Sequence, residues 1–329
     1  MVYQCYSKAS NLFFGPTYII KSQEGAQQGD PLGPFLFSLA IMDLTKDLES
    51  EVNLWYLDDG TVIGTAESAL SDYKKIKDAS KSLGLEVNPG KCEILPIRPK
   101  EGDNSTIANF RELAPEIREI SMDNLTMLGS PIMPEAIDGV LQSKLESFQL
   151  MCDRLKVLDP HDALFLMRHA FSLPKLTYFL RTSPCFKNTE ILKKYDKALR
   201  VALISILNVG MEDPSWEQCS LPVRMGGLGI RTASEVSLPA YLSSVSATFE
   251  CITPLLPTYL RNDVNPFFTQ ATFQWSNLLS GEDLPGLKSV QAAWDMPLCQ
   301  KRFENLLQSA NTDEDKARLR AVSSEHASD

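Results

Sequence analysis

Val52-Asn53-Leu54-Trp55-Tyr56-Leu57-Asp58-Asp59-Gly60-Thr61-Val62-Ile63-Gly64 sets two short runs of β-branched and aromatic residues on either side of a polar centre. Val52 to Tyr56 and Thr61 to Gly64 predict two strands joined through Leu57-Asp58-Asp59-Gly60, because Asp-Gly supplies the positive φ that a tight hairpin needs. The tip then carries two adjacent carboxylates. Both oxygen groups can reach a hard divalent cation, and two such ions can clamp the attacking and leaving oxygens of a phosphoryl transfer. Asp-Asp-Gly is also what a plain surface turn uses, so the dipeptide alone leaves both readings open. Tyr56 and the apolar strands, which would hold the carboxylates rigidly, favour the metal.

Upstream, Gly29-Asp30-Pro31-Leu32-Gly33-Pro34 clusters turn formers ahead of the apolar stretch Phe35 to Met42. This predicts a buried helix with Asp30 as N-cap and Pro31 at the first helical position, running to about Leu48. Downstream, Leu70, Tyr73, Ile76 and Ser80 to Leu83 keep a helical period that Gly84 should end. Asn88-Pro89-Gly90 predicts a turn with Gly in positive φ, Pro96 to Asn109 a polar surface loop, and Leu125 to Met133 a short hairpin. From Val140 the spacing of Leu141, Leu145, Phe148 and Leu155 is that of an amphipathic helix, and 161–173 and 188–207 follow the same rule. The fold class expected is α+β: a partly sheet-like segment 1–134, a helical unit 135–210, and a mainly helical region 211–329 ending in a polar, frayed tail from Asn311.

Gln27-Gln28-Gly29-Asp30-Pro31-Leu32-Gly33-Pro34 followed by Tyr56-Leu57-Asp58-Asp59-Gly60 resembles the reverse transcriptase family. Gly84-Leu85-Glu86-Val87-Asn88-Pro89-Gly90-Lys91-Cys92 is similar to the family's next block, and Met127-Leu128-Gly129-Ser130-Pro131-Ile132 to its primer-grip hairpin. Leu173 to Arg181 and Gly226-Gly227-Leu228-Gly229 resemble segments that follow the polymerase blocks in non-LTR retrotransposons. The glycines are not a phosphate loop, since no Lys-Ser or Lys-Thr follows and no βαβ context surrounds them.

The resemblance implies a partial right-hand palm over 1–134 and a helical thumb over 135–210, belonging to an RNA-directed DNA polymerase. Asp58 and Asp59 would hold Mg²⁺, or Mn²⁺ in its place, in the full-length enzyme. Gln28 and Gly29 would line the pocket for template base and incoming nucleotide, glycine permitting close backbone approach. Tyr56, Leu128 and Gly129 would lie at the primer, and Lys91 would protonate the departing pyrophosphate. The implied partners are an RNA template, a DNA primer and deoxynucleoside triphosphates. Backbone contacts would come from Arg154, Lys156, Lys175, Arg181, Lys193 and Lys194.

Charge distribution fits a local rather than a global nucleic-acid surface. The 329 residues carry a net charge of −10, yet residues 141–210 hold 11 Lys and Arg against 6 Asp and Glu, while 1–60 hold 3 against 8. The 7 cysteines form no close pairs and no zinc C-x-x-C spacing, which fits a reducing compartment. No signal-like start and no membrane-length apolar run point to an intracellular protein, cytoplasmic or nuclear.

The family pattern also requires an aspartate from an earlier strand, upstream of the segment beginning Tyr3, and basic fingers that hold the triphosphate. No carboxylate precedes Glu24. The expectation is an N-terminally truncated enzyme with half of a metal site, inactive alone and exposing a sheet edge. The alternatives are a non-catalytic nucleic-acid-binding remnant or interaction protein, a group II intron maturase, and a structural helical protein. The ordered blocks disfavour the last, and the match of Gln27 to Pro34 disfavours the maturase.

Overall fold

A 3.6-residue apolar period governs most of the chain, and helices dominate its computed structural model. The structure describes residues 2–22, 25–26, 29–97, 103–261, 265–279, 283–286 and 288–324. The chain folds as two units, Met1–Glu93 with Arg98–Arg118 and Ile94–Ile97 with Glu119–Asp329. It is α+β, mainly helical with short antiparallel strand pairs.

The first unit contains α1 (Val2–Tyr6), β1 (Ser10–Phe14), β2 (Tyr18–Ser22), α2 (Gly33–Lys46), β3 (Val52–Tyr56), β4 (Asp59–Ile63), α3 (Ala66–Ser82) and α4 (Asp103–Leu113). β1 pairs with β2 and β3 with β4, as separate antiparallel ribbons. The β1–β2 ribbon is apolar on both faces, with Phe13, Phe14 and Tyr18 at least 70% exposed. α2 starts later than the N-cap rule places it. Asp30 accepts from the Leu32 amide at 2.8 Å and from the Tyr6 hydroxyl, so it organises the turn before the helix. Pro34, not Pro31, stands in the first helical turn.

α3 ends as expected. Gly84 takes φ +72°, its amide reaches the Lys81 carbonyl, and the Leu85 amide reaches that of Ser80, closing a left-handed cap. The expected loop at 96–109 is instead partly α4. Thr106, Phe110 and Ala114 are buried at i, i+4 and i+8, and Phe110 packs 5.9 Å from Tyr73 of α3. Polar composition hid a one-sided apolar stripe. Residues 98–102 lie outside the described ones.

The strands β5 (Glu93–Ile94) and β6 (Arg118–Glu119) fall where the chain passes between units. The second unit then runs through β7 (Thr126–Met127), β8 (Ser130–Pro131), α5 (Pro134–Leu155), α6 (Pro160–Leu166), α7 (Leu173–Thr182), α8 (Thr189–Leu207), α9 (Asp213–Ser220), α10 (Ala233–Ile252), α11 (Pro266–Leu278), α12 (Gln291–Ser309) and α13 (Asp313–Val322). Its main core joins Leu141, Leu145 and Phe148 of α5 to Leu176 and Leu180 of α7, Leu199 and Leu203 of α8, and Val236 of α10. Phe148 stacks on Tyr195 at 4.5 Å.

A second cluster brings Tyr241 and Leu242 of α10 against Trp275 and Trp294, and the Trp275 indole donates to the Trp294 carbonyl at 2.9 Å. The C-terminal stretch is not simply a frayed tail. Thr312 accepts from the Asp315 amide to cap α13, and Leu319 is buried with Leu221 and Leu306; only residues 325–329 of that stretch are undescribed. Gly226 and Gly229 take φ +78° and +69°, so the glycine segment is a backbone turn. Among the described residues no helix is long and apolar enough to cross a membrane.

Ion pairs from two arginines lace the C-terminal helices together. Arg231 meets Asp295 of α12 in a two-pronged pair at 2.6 and 2.8 Å, both side chains about nine-tenths buried or close to it. Arg302 bridges Glu235 and Glu217 at 2.6 Å each. Removing one partner of a buried pair leaves the other charge uncompensated, so Asp295→Ala should destabilise the second unit by about 3–5 kcal/mol in urea unfolding. A loss below about 1 kcal/mol would show that the pair contributes little.

Candidate functional site

Two hairpin tips carry the sequence-predicted chemistry, one in each unit. In the first, Tyr56 stands opposite Asp59 and Trp55 opposite Gly60. The turn is therefore Leu57-Asp58, two residues rather than four, and Asp59 and Gly60 belong to β4. The positive φ falls on Leu57, at +55°, not on Gly60. A non-glycine residue there carries strain of about 1–3 kcal/mol, a feature that clusters at functional sites. Gly60 serves another purpose: a Cβ on it would lie 2.6 Å from the Trp55 ring carbons. The indole thus lies across the ribbon at that point.

The ribbon is tied to the rest of its unit from behind. Trp55 Nε1 donates to Asn53 Oδ1 at 2.5 Å, and Asn53 Nδ2 donates to the Thr45 carbonyl at 2.6 Å. Ahead of β3, the buried carboxylate of Asp72 in α3 accepts from the amides of Glu49 at 2.7 Å and Ser50 at 2.8 Å. The opposite face is open, with Tyr56 63% exposed and Asp58 and Asp59 exposed at the tip. Two carboxylates are a suitable hard donor set for Mg²⁺, which keeps water and substrate oxygens in its shell. Among the described residues no group of three or more His, Cys, Asp or Glu is placed to hold a metal.

The other predicted residues of this unit are dispersed over separate elements. Lys91 is exposed on the 3₁₀ turn Pro89–Lys91. There Asn88 Oδ1 accepts from the Gly90 amide at 3.1 Å, and Gly90 does not take the positive φ expected of it. Gly29 is exposed at φ +91° with open space where a Cβ would stand. Gln28 lies outside the described residues.

The second tip, Leu128-Gly129, joins β7 to β8, with Met127 opposite Ser130. Both tip residues have positive φ, +50° and +77°, as a primed two-residue turn requires. Beside it runs a groove of about 470 Å³ lined by Gly129, Gly139, Ser143, Lys144 and Phe179, where Lys144 Nζ stands 4.9 Å from the Phe179 ring centroid. Lys144 was invisible as a site residue because nothing in its spacing marks it.

The six predicted basic residues do not form one strip. Lys156 and Lys194 share a groove of about 410 Å³ between α5 and α8, with Lys197 on the same rim. At 100° per residue, positions 145, 149 and 156 of this groove centre about 120° around α5 from 139 and 143. Lys156 is paired with Asp153 at 2.8 Å and Lys193 lies 3.9 Å from Glu190. Lys175 sits over Phe171 at 5.6 Å, Arg181 donates twice to Gln291, and Arg154 is exposed near the end of α5.

Residues 2–132 match the reverse transcriptase (RNA-dependent DNA polymerase) family, a span that holds both tips. That match, together with likeness to a retrotransposon protein, supports a reverse transcriptase of the non-LTR retrotransposon kind. Over 221 residues, 66% of its length, it is 24% identical to the retrotransposable element SLACS 132 kDa protein of Trypanosoma brucei gambiense, of which it spans 18%.

Asp72 offers a direct check on how the first tip is held. Burial alone would raise its pKa, but hydrogen bonds from Ser50 and Glu49 and the nearby Lys75 hold it below the ordinary 3.8. Asp72→Ala strands two amides and should cost about 2–4 kcal/mol. A lowered carboxyl pKa stabilises the fold above the unfolded value, and that gain disappears as pH falls through the folded one. The wild-type advantage over Asp72→Asn in urea unfolding should therefore be constant near neutrality and shrink below pH 3.8. An advantage that grows on acidification contradicts this account.

Proposed function

We propose that this chain carries part of the palm (1–134) and the thumb (135–210) of an RNA-directed DNA polymerase, and that it grips a primer–template with its second unit. The single observation that carries the reading is the open tip of the first ribbon. Tyr56 pairs with Asp59 beside Asp58, backed by Trp55 and the Asp72 anchor, inside the span matched to the reverse transcriptase family.

Asp58 and Asp59 would hold the divalent ion, which when bound offsets negative charge on the phosphoryl oxygens. The chain's own groups position the substrates. Tyr56 packs beside the primer terminus, Gly29 lets the incoming nucleotide approach the backbone with Gln28 beside it, and Lys91 carries the proton toward the pyrophosphate oxygen. Leu128 and Gly129 meet the primer strand, and Lys144 extends that surface along α5. Lys156, Lys194 and the other thumb cations take phosphates. Residues 211–329 form the support behind the thumb.

A second component of the reading is that Asp58 and Asp59 supply only part of the ligands a polymerase metal needs, so that the chain binds nucleic acid but does not polymerise by itself. The test is primed RNA mixed with the purified chain and Mg²⁺ or Mn²⁺. Binding should weaken at least about ten-fold between roughly 50 and 200 mM salt, survive Asp58→Ala, and give no extension. Extension abolished by Asp58→Ala would establish a complete polymerase. Binding that ignores salt, or no binding, would remove the nucleic-acid reading.

A further inference from the structure

The β7–β8 hairpin has only two residues per strand, and an isolated ribbon of that size is not stable in water. What holds it comes from α7, about 50 residues later. Tyr178 Oη donates to the Leu128 carbonyl at 2.8 Å, and Ser183 Oγ donates to the Pro131 carbonyl at 2.6 Å. Between them, Ser130 Oγ stands 2.5 Å from Thr182 Oγ1 and 2.9 Å from Ser183 Oγ. Thr182 directs its own proton to the Tyr178 carbonyl at 2.8 Å. With the Thr182 and Ser183 protons committed to carbonyls, Ser130 must be the donor to one of those hydroxyls. Ser130 and Ser183 are 2% and 0% exposed, so the bond between them and that from Ser183 to Pro131 do not compete with water.

The clasp reaches the strained point of the hairpin. Leu128 is a leucine at φ +50°, and its own carbonyl is the one that Tyr178 holds. α7 itself is immobilised by burial of Leu176 and Leu180 at 1% and 0% exposure against the main core. At the same end as the clasp, Arg181 donates twice to Gln291 of α12.

We infer that Tyr178, Thr182 and Ser183 are positioning residues that fix the Leu128-Gly129 tip, and with it the primer terminus that the tip meets. The inference rests on the reading of this hairpin as a primer contact. The clasp itself does not, and the two fail separately.

The experiment uses the full chain as wild type, Tyr178→Phe and Ser183→Ala. In the free protein, amide exchange at residues 128–130 should accelerate roughly two- to ten-fold in each variant, while the amides of α7 and α10 keep their protection. The second measurement uses an RNA template annealed to a DNA primer ending in 2-aminopurine. Wild type should change the fluorescence of that terminal base on binding. Tyr178→Phe should bind within about two-fold of wild type, since one exposed hydroxyl bond is lost, yet lose about half or more of that change.

Unaltered exchange in one variant removes that residue from the clasp and overturns its positioning role, and unaltered exchange in both overturns the clasp. Faster exchange with the full fluorescence change overturns the positioning role. Wild-type binding with no change at the terminal base overturns the primer reading, and the inference with it, while the exchange result still reports on the clasp.

Discussion

A two-stranded ribbon of a few residues cannot hold its own shape in water, and both tips that the sequence singles out sit on such ribbons. Every other feature of the two sites follows from that constraint. In the first unit the ribbon borrows rigidity from helices on either side in sequence: Asn53 binds the end of α2, and Asp72 of α3 gathers the amides just before β3. In the second unit the ribbon is shorter and the support correspondingly denser, with three hydroxyls of α7 and its C-terminal flank on one hairpin. Both tips place a leucine at positive φ. Such a conformation persists only where its surroundings over-determine it.

The helices after residue 211 acquire a physical role from the same constraint. α10 is buried along most of its first three turns and packs against α7, while α12 reaches α7 through Gln291, α10 through the Arg302–Glu235 pair, and the segment just before α10 through Arg231. A region without recognisable site chemistry is thus the backing of the helix that holds the second tip. Its buried charges are bonded on both sides, which keeps a charged helix interface from becoming a defect.

Legibility in the sequence tracked how local each determinant is. The two hairpins, the stop at Gly84 and the amphipathic helices beyond 134 were readable because turn chemistry and apolar period act within a few residues. α4 and α13 were not, since each hides a narrow apolar stripe in polar surroundings: Thr106, Phe110 and Ala114 in one case, Leu319 in the other. The exact turn at 57–58 was misplaced because Gly60 is the residue that normally supplies positive φ, whereas here it makes room for Trp55. Asp58, Asp59 and the Leu128-Gly129 tip were recognisable as motifs. Asp72, Lys144 and Tyr178 left no local signal, because their partners lie distant in sequence and two of them bind backbone, which no residue pattern advertises.

The lateness of α12 has a consequence for how the chain is made. Arg231 and Asp295 stand 64 residues apart, and Arg181 and Gln291 stand 110 apart. Synthesis proceeds from the N-terminus and folding follows it in order, so α7 leaves the ribosome well before the surfaces that cover it exist. Until α10 and then α12 emerge, its buried leucines face solvent or a chaperone. The middle of the second unit is finished only when α12 has been translated.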